Sequence, residues 1–223
     1  MASTRTKAQL WTIGGFGAVL VAAVAIGYFI IRPGDALPVY HTSQIDPRLV
    51  DPQVKGEKGE HHISDFKLMD QHGEIMTLAD VGDRIIVADF FFTTCATICP
   101  KMSTQLERVQ EAYRDEDRLM ILSHSVTPEA DSIPVLAAYA ELHNADPKRW
   151  RFLTGDRLQI YRLARRSYFA AMDEGDGGPD DFVHTENFVL VDPQRRIRGF
   201  YDGTSTQDVD RLIGDIGKLL KEK

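Results

Sequence analysis

The sequence is short of positive charge. It contains 26 Lys and Arg against 33 Asp and Glu, and its formal net charge is -7. Only Arg5, Lys7 and Arg32 are charged before Gly34, so the rest of the chain carries -10, from 23 basic and 33 acidic side chains. Such an acidic body repels phosphate backbones, which argues against nucleic acid as a partner.

Low-complexity tracts and internal repeats are also missing, which excludes a largely disordered chain and a repeat architecture. With 223 residues, of which 43% are hydrophobic, the chain is long enough for one well-buried domain plus an appendage. Nothing in the sequence indicates a second core.

Cysteine is scarce, and the only two, Cys95 and Cys99, are four positions apart. Residues 85–92 predict a buried strand and the residues after Pro100 a helix, so the pair falls at a strand-to-helix turn. Side chains four apart in a first helical turn share a face, so the sulfurs can form a disulfide or hold one metal ion. The helix N-terminus favours the thiolates that both reactions need. The alternative is a pair of small core hydrophobes.

Residues 11–31 contain no acidic or basic side chain. As a helix, at about 1.5 Å per residue, they span roughly 31 Å, enough for a bilayer. A cleaved signal peptide is the alternative, but its apolar region normally has only about 7–15 residues, so we predict an uncleaved anchor. The flanking charges predict a cytoplasmic segment 1–10 and an exported body. Since so short a segment is atypical of a mitochondrial transit sequence, we expect a bacterial inner membrane with a periplasmic domain.

The remaining chain divides into a tether and a domain. Residues 32–60 are rich in Pro, Asp, Gly and polar side chains, and we expect a tether on or near the domain, which comprises residues 61–223. Adjacent histidines can bind metal, but we expect His61 and His62 to be solvated surface residues. We also expect His72 to be a turn residue, and His41, His124 and His143 to have no role in the site.

Periodicity predicts a hairpin, three strand–helix units, two strands and a terminal helix in this domain. The predicted strands are a hairpin at 65–78 and single strands at 85–92, 118–126, 149–153, 186–192 and 197–201. The predicted helices are one after Pro100, one capped by Asp131 or Ser132, one at 156–169 and the terminal helix. Val135 and Leu142 are expected to face inward. This order indicates an α/β fold with helices on both faces of a central mixed sheet, in which ligands gather beyond the strand ends, where Cys95 emerges.

Two further residues attract attention. His184 follows an acidic, glycine-rich stretch, residues 172–182, that predicts a mobile loop. Considered alone, a single histidine at a loop–strand junction is more often solvated or satisfied than a ligand. Asp89 is an acid within an apolar strand, and it is either a buried proton acceptor near the cysteines or simply an Asp at a strand end.

Four segments resemble the Sco/SenC proteins, which are membrane-anchored, copper-binding members of the thioredoxin-like superfamily: DFFFTTCATICPKMSTQL, VTPEADSIPVLAAYA, RWRFLTG and VHTENFVLVDPQRRIRGFYDGT. The resemblance covers roughly residue 37 to the C-terminus and also the preceding anchor. It implies a thioredoxin-like fold, with one copper ion bound by Cys95, Cys99 and His184. Ala96 stands where many relatives have Pro, and Thr185-Glu186 replaces the more usual residues after the histidine, but neither change touches a ligand.

The resemblance further implies a role in a respiratory cytochrome oxidase, either delivering copper to its dinuclear copper centre or reducing that centre's cysteines. Two thiolates and an imidazole form a soft ligand set that suits Cu(I) and can hold Cu(II), whereas a structural zinc site usually has four protein ligands. An exported compartment tends to oxidise thiols, so we expect a disulfide between Cys95 and Cys99 that excludes copper. The implied partners are the copper-accepting oxidase subunit and a thiol reductant of thioredoxin type.

Two other classes of function remain. Thioredoxin-like oxidoreductases usually carry C-x-x-C, and peroxiredoxins have Thr three residues before the reactive cysteine, where Phe92 stands here. These departures favour a protein that is not an enzyme, although thiol-disulfide oxidoreductase activity remains the alternative. A redox or copper sensor is the other, and the sequence offers no effector domain for it.

Overall fold

The computed structural model divides the chain into two units, Met1–Asp35 and Ala36–Lys223. It describes residues 21–24, 26, 36–51, 59–172, 183–184 and 186–222, of which 21–24 and 26 are helical. None of the described helices combines the length and hydrophobicity required of a bilayer span. Segment 1–10 and most of the anchor predicted at 11–31 lie outside the described residues, so the anchor stays a prediction.

The second unit alternates strands and helices over most of its length. The described strands are β1 (Lys67–Asp70), β2 (Ile75–Thr77), β3 (Ile85–Phe91), β4 (Leu119–Ser125), β5 (Trp150–Thr154), β6 (Ala171–Met172), β7 (Val183–His184), β8 (Asn187–Val191) and β9 (Ile197–Asp202). The described helices are α1 (Leu78–Val81), α2 (Ile98–Ala112), α3 (Ile133–Leu142), α4 (Arg157–Arg162) and α5 (Thr206–Leu219), with a 3-10 turn at Thr42–Gln44 and a π-helical turn at Leu163–Ser167.

Seven strands form one mixed sheet in the order β2-β1-β5-β4-β3-β8-β9. β3, β4 and β5 are parallel, while β1 runs antiparallel to β5 and β8 antiparallel to β3. β3 is buried along its whole length, as its apolar sequence predicted. The prediction of a central mixed sheet flanked by helices is confirmed, and the carboxyl end of β3 leads into the cysteine loop.

Each face of the sheet has its own core, because successive side chains of β3 point to opposite sides. Val87 and Phe91 pack with Cys99 and with apolar residues of α2, α3 and α5. Ala88 and Phe90 pack with residues of α4, the π-helical turn and the segment that precedes β1. The pleat therefore places Asp89 on the same face of the sheet as Cys99.

Two sequence predictions need correction, and one feature of the fold was not predicted. The helix predicted at 156–169 is instead α4 followed by the π-helical turn, which ends at Ser167. Val135 and Leu142 were expected to face inward, yet they are 39% and 71% exposed, since α3 buries only a narrow stripe that includes Leu136. The two-stranded sheet of β6 and β7 was not predicted, because two residues are too few to show a pattern.

The described part of the predicted tether belongs to the second unit, and its first residues contact Arg198, a buried residue of β9. Its guanidinium donates hydrogen bonds to the backbone oxygens of Leu37 at 2.6 Å and Pro38 at 3.0 Å. It also pairs with Asp192 at 3.1 Å and with Glu222 at 2.8 Å. A single guanidinium thus joins the start of the unit to the residues that follow α5. We call these contacts the Arg198 clamp.

Candidate metal centre

The two cysteines occupy the turn between β3 and α2, as predicted. Cys95 lies in the loop, partly exposed, and Cys99 lies in the first turn of α2, fully buried. The prediction that both share a first helical turn is therefore wrong, because α2 begins only at Ile98. The backbone N–H of Cys99 nevertheless donates to the Sγ atom of Cys95 at 3.4 Å, and both thiols are free. The sulfur of Cys95 is held at the N-terminus of the helix.

The thiols differ in acidity. Burial acts to raise the pKa of Cys95, but hydrogen bonds from the Cys99 side chain and from backbone N–H groups at the helix start outweigh it and lower the pKa to about 7. Burial raises the pKa of Cys99 to about 12, against a hydrogen bond from the Phe92 backbone and with a smaller contribution from the charge of Cys95. The pKa of Cys95 is thus lowered, as the helix N-terminus predicted, whereas the pKa of Cys99 shifts in the opposite direction.

Asp89 belongs to a buried polar group beneath the cysteines. Its carboxyl accepts a hydrogen bond from Ser123 Oγ at 2.5 Å, and Ser123 Oγ accepts one from Trp150 Nε1 at 2.9 Å. Burial raises the pKa of Asp89 to about 7, and the bond from Ser123 opposes that rise only in part. Asp89 is an interior residue of β3, and its role in proton transfer stays a prediction.

Tyr139, a residue of α3, lies on the same face of the sheet. Its ring packs on Phe91 with 5.2 Å between centroids, and its hydroxyl is 2.8 Å from Ser103 Oγ. Burial raises the pKa of Tyr139 to about 12, Ser103 opposes this, and the charges of Cys99 and Asp89 add to it. Tyr139 is therefore a neutral phenol whose electrostatic surroundings include the sulfurs.

Asp131 holds the cysteine loop in place, a role that the sequence did not reveal. Its fully buried carboxylate accepts hydrogen bonds from the hydroxyls of Thr93 at 2.5 Å, Ser125 at 2.6 Å and Thr127 at 3.2 Å. It also accepts the backbone N–H of Thr93 at 3.3 Å. Asp131 does not cap α3, whose N-cap is Ser132. The carboxylate instead ties the loop before Cys95 to the end of β4.

His184 lies in β7, which is part of a two-stranded ribbon separate from the main sheet. Its Cα is paired with that of Ala171 in β6. The side chain of His184 lies outside the described residues, and so do Thr185 and residues 173–182 of the loop predicted at 172–182. Met172 itself is the last residue of β6. Within the described part of the chain, no group of three or more His, Cys, Asp or Glu could hold a metal ion. The three-ligand set therefore stays a prediction.

The other histidines have structural contacts. His124 is buried and stacks on Phe90 with 4.8 Å between centroids, and burial lowers its pKa to about 4. His143 Nδ1 is 2.6 Å from Glu107 Oε1, and His41 Nδ1 is 3.3 Å from the Gly59 backbone oxygen. No role in the site was predicted for any of these three histidines.

The adjacent pair His61 and His62 splits into two environments. His62 is exposed, as predicted, and so is the turn residue His72. His61 differs from its prediction, because it is half-buried and its Nε2 donates to the backbone oxygen of Ser167 at 2.7 Å. A contact more than 100 positions away in the chain leaves no local pattern in the sequence.

Comparison with known proteins gives consistent matches. The family model SCO1/SenC matches residues 54–221. The SCO1 protein homolog of Bacillus subtilis is 30% identical over 158 residues, covering 70% of this chain and 81% of that protein. BsSco, described as a member of the Sco family of cytochrome c oxidase assembly proteins with a disulfide switch, has a TM-score of 0.63 at 29% identity, covering 74% and 96%. Bradyrhizobium japonicum ScoI, solved with copper bound, shares the fold with a TM-score of 0.56 at 22% identity, covering 70% and 98%.

Proposed function

The chain belongs to the SCO1/SenC family, and from that premise we propose that it is a membrane-anchored copper metallochaperone. It binds one copper ion through Cys95, Cys99 and His184 and assists assembly of the dinuclear copper centre of a respiratory cytochrome oxidase. Copper is cargo in this proposal, received in one step and passed on in another.

The sulfur pair carries the proposal. Cys95 is partly exposed and has a pKa of about 7, so a large fraction is thiolate at neutral pH, while Cys99 is buried directly behind it. Soft anionic sulfur is a preferred donor for Cu(I), and metal binding draws the proton from a thiol of higher pKa. The exposed side of Cys95 leaves room for an incoming or outgoing ion. A relative with this fold is described with copper bound.

His184 supplies the donor that distinguishes the two oxidation states. Cu(I) can be held by two thiolates alone, whereas Cu(II) favours a tetragonal set that includes nitrogen or oxygen. The pairing of His184 with Ala171 gives its backbone a defined place in a ribbon outside the main sheet. A ligand on a separate ribbon can join or leave the metal without disturbing β3.

Separate titrations of Cu(I) and Cu(II) into the reduced full-length protein test the ligand set. Removing a metal ligand should cost at least as much affinity as removing a residue that hydrogen-bonds to a ligand, which can cost about 100-fold. We expect Cys95→Ser and Cys99→Ser to weaken both ions by at least that factor, and His184→Ala to weaken Cu(II) by that factor while changing Cu(I) less than about threefold. His62→Ala is the matched control. Equal losses of both ions in His184→Ala would contradict the ligand assignment.

A second candidate function is reduction of the disulfide of the oxidase copper centre. The unequal thiols favour it, since Cys95 has the exposure and lowered pKa of an attacking thiol and Cys99 is a buried resolving thiol. A reductase has no need of an imidazole ligand. Oxidase maturation in cells that carry His184→Ala therefore separates the functions, because failure supports copper delivery and normal maturation supports reduction.

The proposal places the domain on the periplasmic side of a bacterial inner membrane, held by residues 11–31 and supplied with electrons by a thioredoxin-type reductant. An anchor and tether raise the effective concentration of the site near a membrane-bound acceptor without new contacts. Fractionation of cells and protease treatment of spheroplasts test this placement. Recovery of the full-length protein in the soluble fraction would contradict it.

A further inference from the structure

Two unusual backbone features precede the ribbon that carries His184. The chain leaves α4 through the π-helical turn Leu163–Ser167, where the N–H of Tyr168 donates to the oxygen of Leu163 at 2.8 Å. Phe169 then adopts a φ of 50° and is fully buried. Left-handed backbone is a genuine outlier for a bulky residue, and π-helical turns are frequent at functional sites.

These features lie immediately before β6. Ala170 and Ala171 are buried next to Phe169, and Ala171 is the residue whose Cα pairs with that of His184. An isolated ribbon of two-residue strands does not fix its own position, since even full hairpins are marginally stable in water. The place of the His184 backbone is therefore determined by the turn from which β6 emerges.

The turn is braced by the segment that begins at His61. His61 Nε2 donates to the backbone oxygen of Ser167 at 2.7 Å, and its ring packs on Phe169 with 4.5 Å between centroids. The backbone N–H of Ser64 donates to Ser167 Oγ at 3.0 Å, and Ser167 is buried. One imidazole thus contacts both the last residue of the π-helical turn and the residue with left-handed backbone.

We propose that His61 is a positioning residue for His184. It acts through Ser167 and Phe169, which fix the start of β6 and hence the backbone partner of His184. Because His184 is a copper ligand only under the proposed function, this role in copper binding rests on that function. Loss of the His61 contact loosens the ribbon, so it weakens Cu(II), which needs the imidazole, and spares Cu(I), which the two thiolates hold.

The test uses the full-length protein with the substitutions His61→Ala, His61→Gln and His62→Ala. Gln places its side-chain N–H the same number of bonds from Cβ as His Nε2, so it can restore the bond to Ser167 but offers no ring nitrogen to a metal. We expect His61→Ala to weaken the binding of Cu(II) by about 10-fold and that of Cu(I) by less than about twofold. A loss of this size is typical when a residue that orients a metal ligand is removed. His61→Gln should recover most of this loss, and His62→Ala should match the wild type.

Hydrogen exchange gives a second measurement that needs no copper. The amide protons of Ala171 and His184 should exchange about 10-fold faster in His61→Ala than in His62→Ala. Ser167→Ala, which deletes only the acceptor of the Ser64 N–H, is a milder variant that should act in the same direction and serves if His61→Ala does not fold.

Unchanged exchange at Ala171 and His184 overturns the positioning role, whatever the copper titrations give. Equal loss of Cu(I) and Cu(II) in His61→Ala also overturns it. A nitrogen donor lost from the Cu(II) electron paramagnetic resonance spectrum of both His61 variants would make His61 a ligand instead, which contradicts the proposal as well. Faster exchange in a protein whose wild type binds no copper would refute the proposed function and leave the positioning of the ribbon standing.

Discussion

The cysteine loop and the histidine ribbon are built in contrasting ways. The loop continues from β3, which pairs with β4 on one side and β8 on the other, and the buried Asp131 carboxylate holds it. The ribbon consists of two-residue strands outside the main sheet and is positioned by the turn before it. The proposed soft donors therefore belong to the most constrained part of the fold, whereas the proposed nitrogen donor belongs to a part that can open locally.

The largest expected difference is in hydrogen exchange of the unmodified protein. Ile86, Val87 and Ala88 have strand partners on both sides, so their amides should open only with global unfolding. We expect them to exchange at least about 1,000-fold more slowly than the amides of Ala171 and His184. Exchange rates within about tenfold of each other would remove the contrast between the two regions.

Replacing Asp131 should destabilise the cysteine loop, which is the more constrained of the two regions. Asp131→Asn keeps the shape but removes a charged acceptor shared by Thr93, Ser125 and Thr127, and leaves at least one buried hydroxyl without a partner. We expect the free energy of unfolding to fall by about 3 kcal/mol, measured by urea titration. Asp46→Asn is the control, since Asp46 is an exposed carboxylate that binds its neighbour Arg48, and its urea midpoint should match the wild type.

The two thiols of the cysteine side should also differ from each other in reactivity. At pH 8, Cys95 should react with iodoacetamide at least about 100-fold faster than Cys99, because the pKa of Cys95 is about 7 and that of Cys99 about 12. Mass spectrometry of the reduced protein after timed alkylation assigns each rate. The rate at Cys95 should rise with pH to a plateau with a midpoint near 7, and a midpoint near 9 would contradict the described hydrogen bonds to its sulfur.

Asp89→Asn should change stability in the opposite direction, and only at a pH above about 4. Burial raises the pKa of Asp89 from 3.8 to about 7 in the folded protein, so its contribution to stability is fully present below pH 4 and is lost as the pH rises through 7. The variant avoids that loss. We expect it to equal the wild type near pH 4 and to be more stable at pH 8 by up to about 4 kcal/mol, which is about 1.4 kcal/mol for each of about three pKa units, by urea titration at both values. A pH-independent difference would contradict the raised pKa.

Regular elements of the cysteine side could be predicted from sequence because their signals are local. The apolar run at 85–92 predicts β3, the period of Met102, Leu106 and Val109 predicts α2, and the spacing of two cysteines predicts their place at the turn. The resemblance to Sco/SenC proteins is confirmed over residues 54–221.

Features on both sides that depend on distant contacts could not be predicted in the same way. An Asp just before a helix has the pattern of a cap, and only the fold shows that the Asp131 carboxylate binds Thr93, 38 positions earlier. The π-helical turn and the left-handed Phe169 interrupt a sequence with ordinary helical periodicity, and His61 reaches them from 106 positions away. Tertiary packing overrides local propensity at each of these places.

Under the proposed anchoring by residues 11–31, the Arg198 clamp has a mechanical consequence. A pull on the chain that enters at Leu37 is borne first by the bonds from Arg198 to Leu37 and Pro38, and by the ion pair with Glu222. From there the load passes into β9, the outermost strand of its side of the sheet, and into the end of the last helix. β8 lies between β9 and β3, so tension at the anchor point is dissipated at the sheet edge before it reaches the strand that carries the sulfurs.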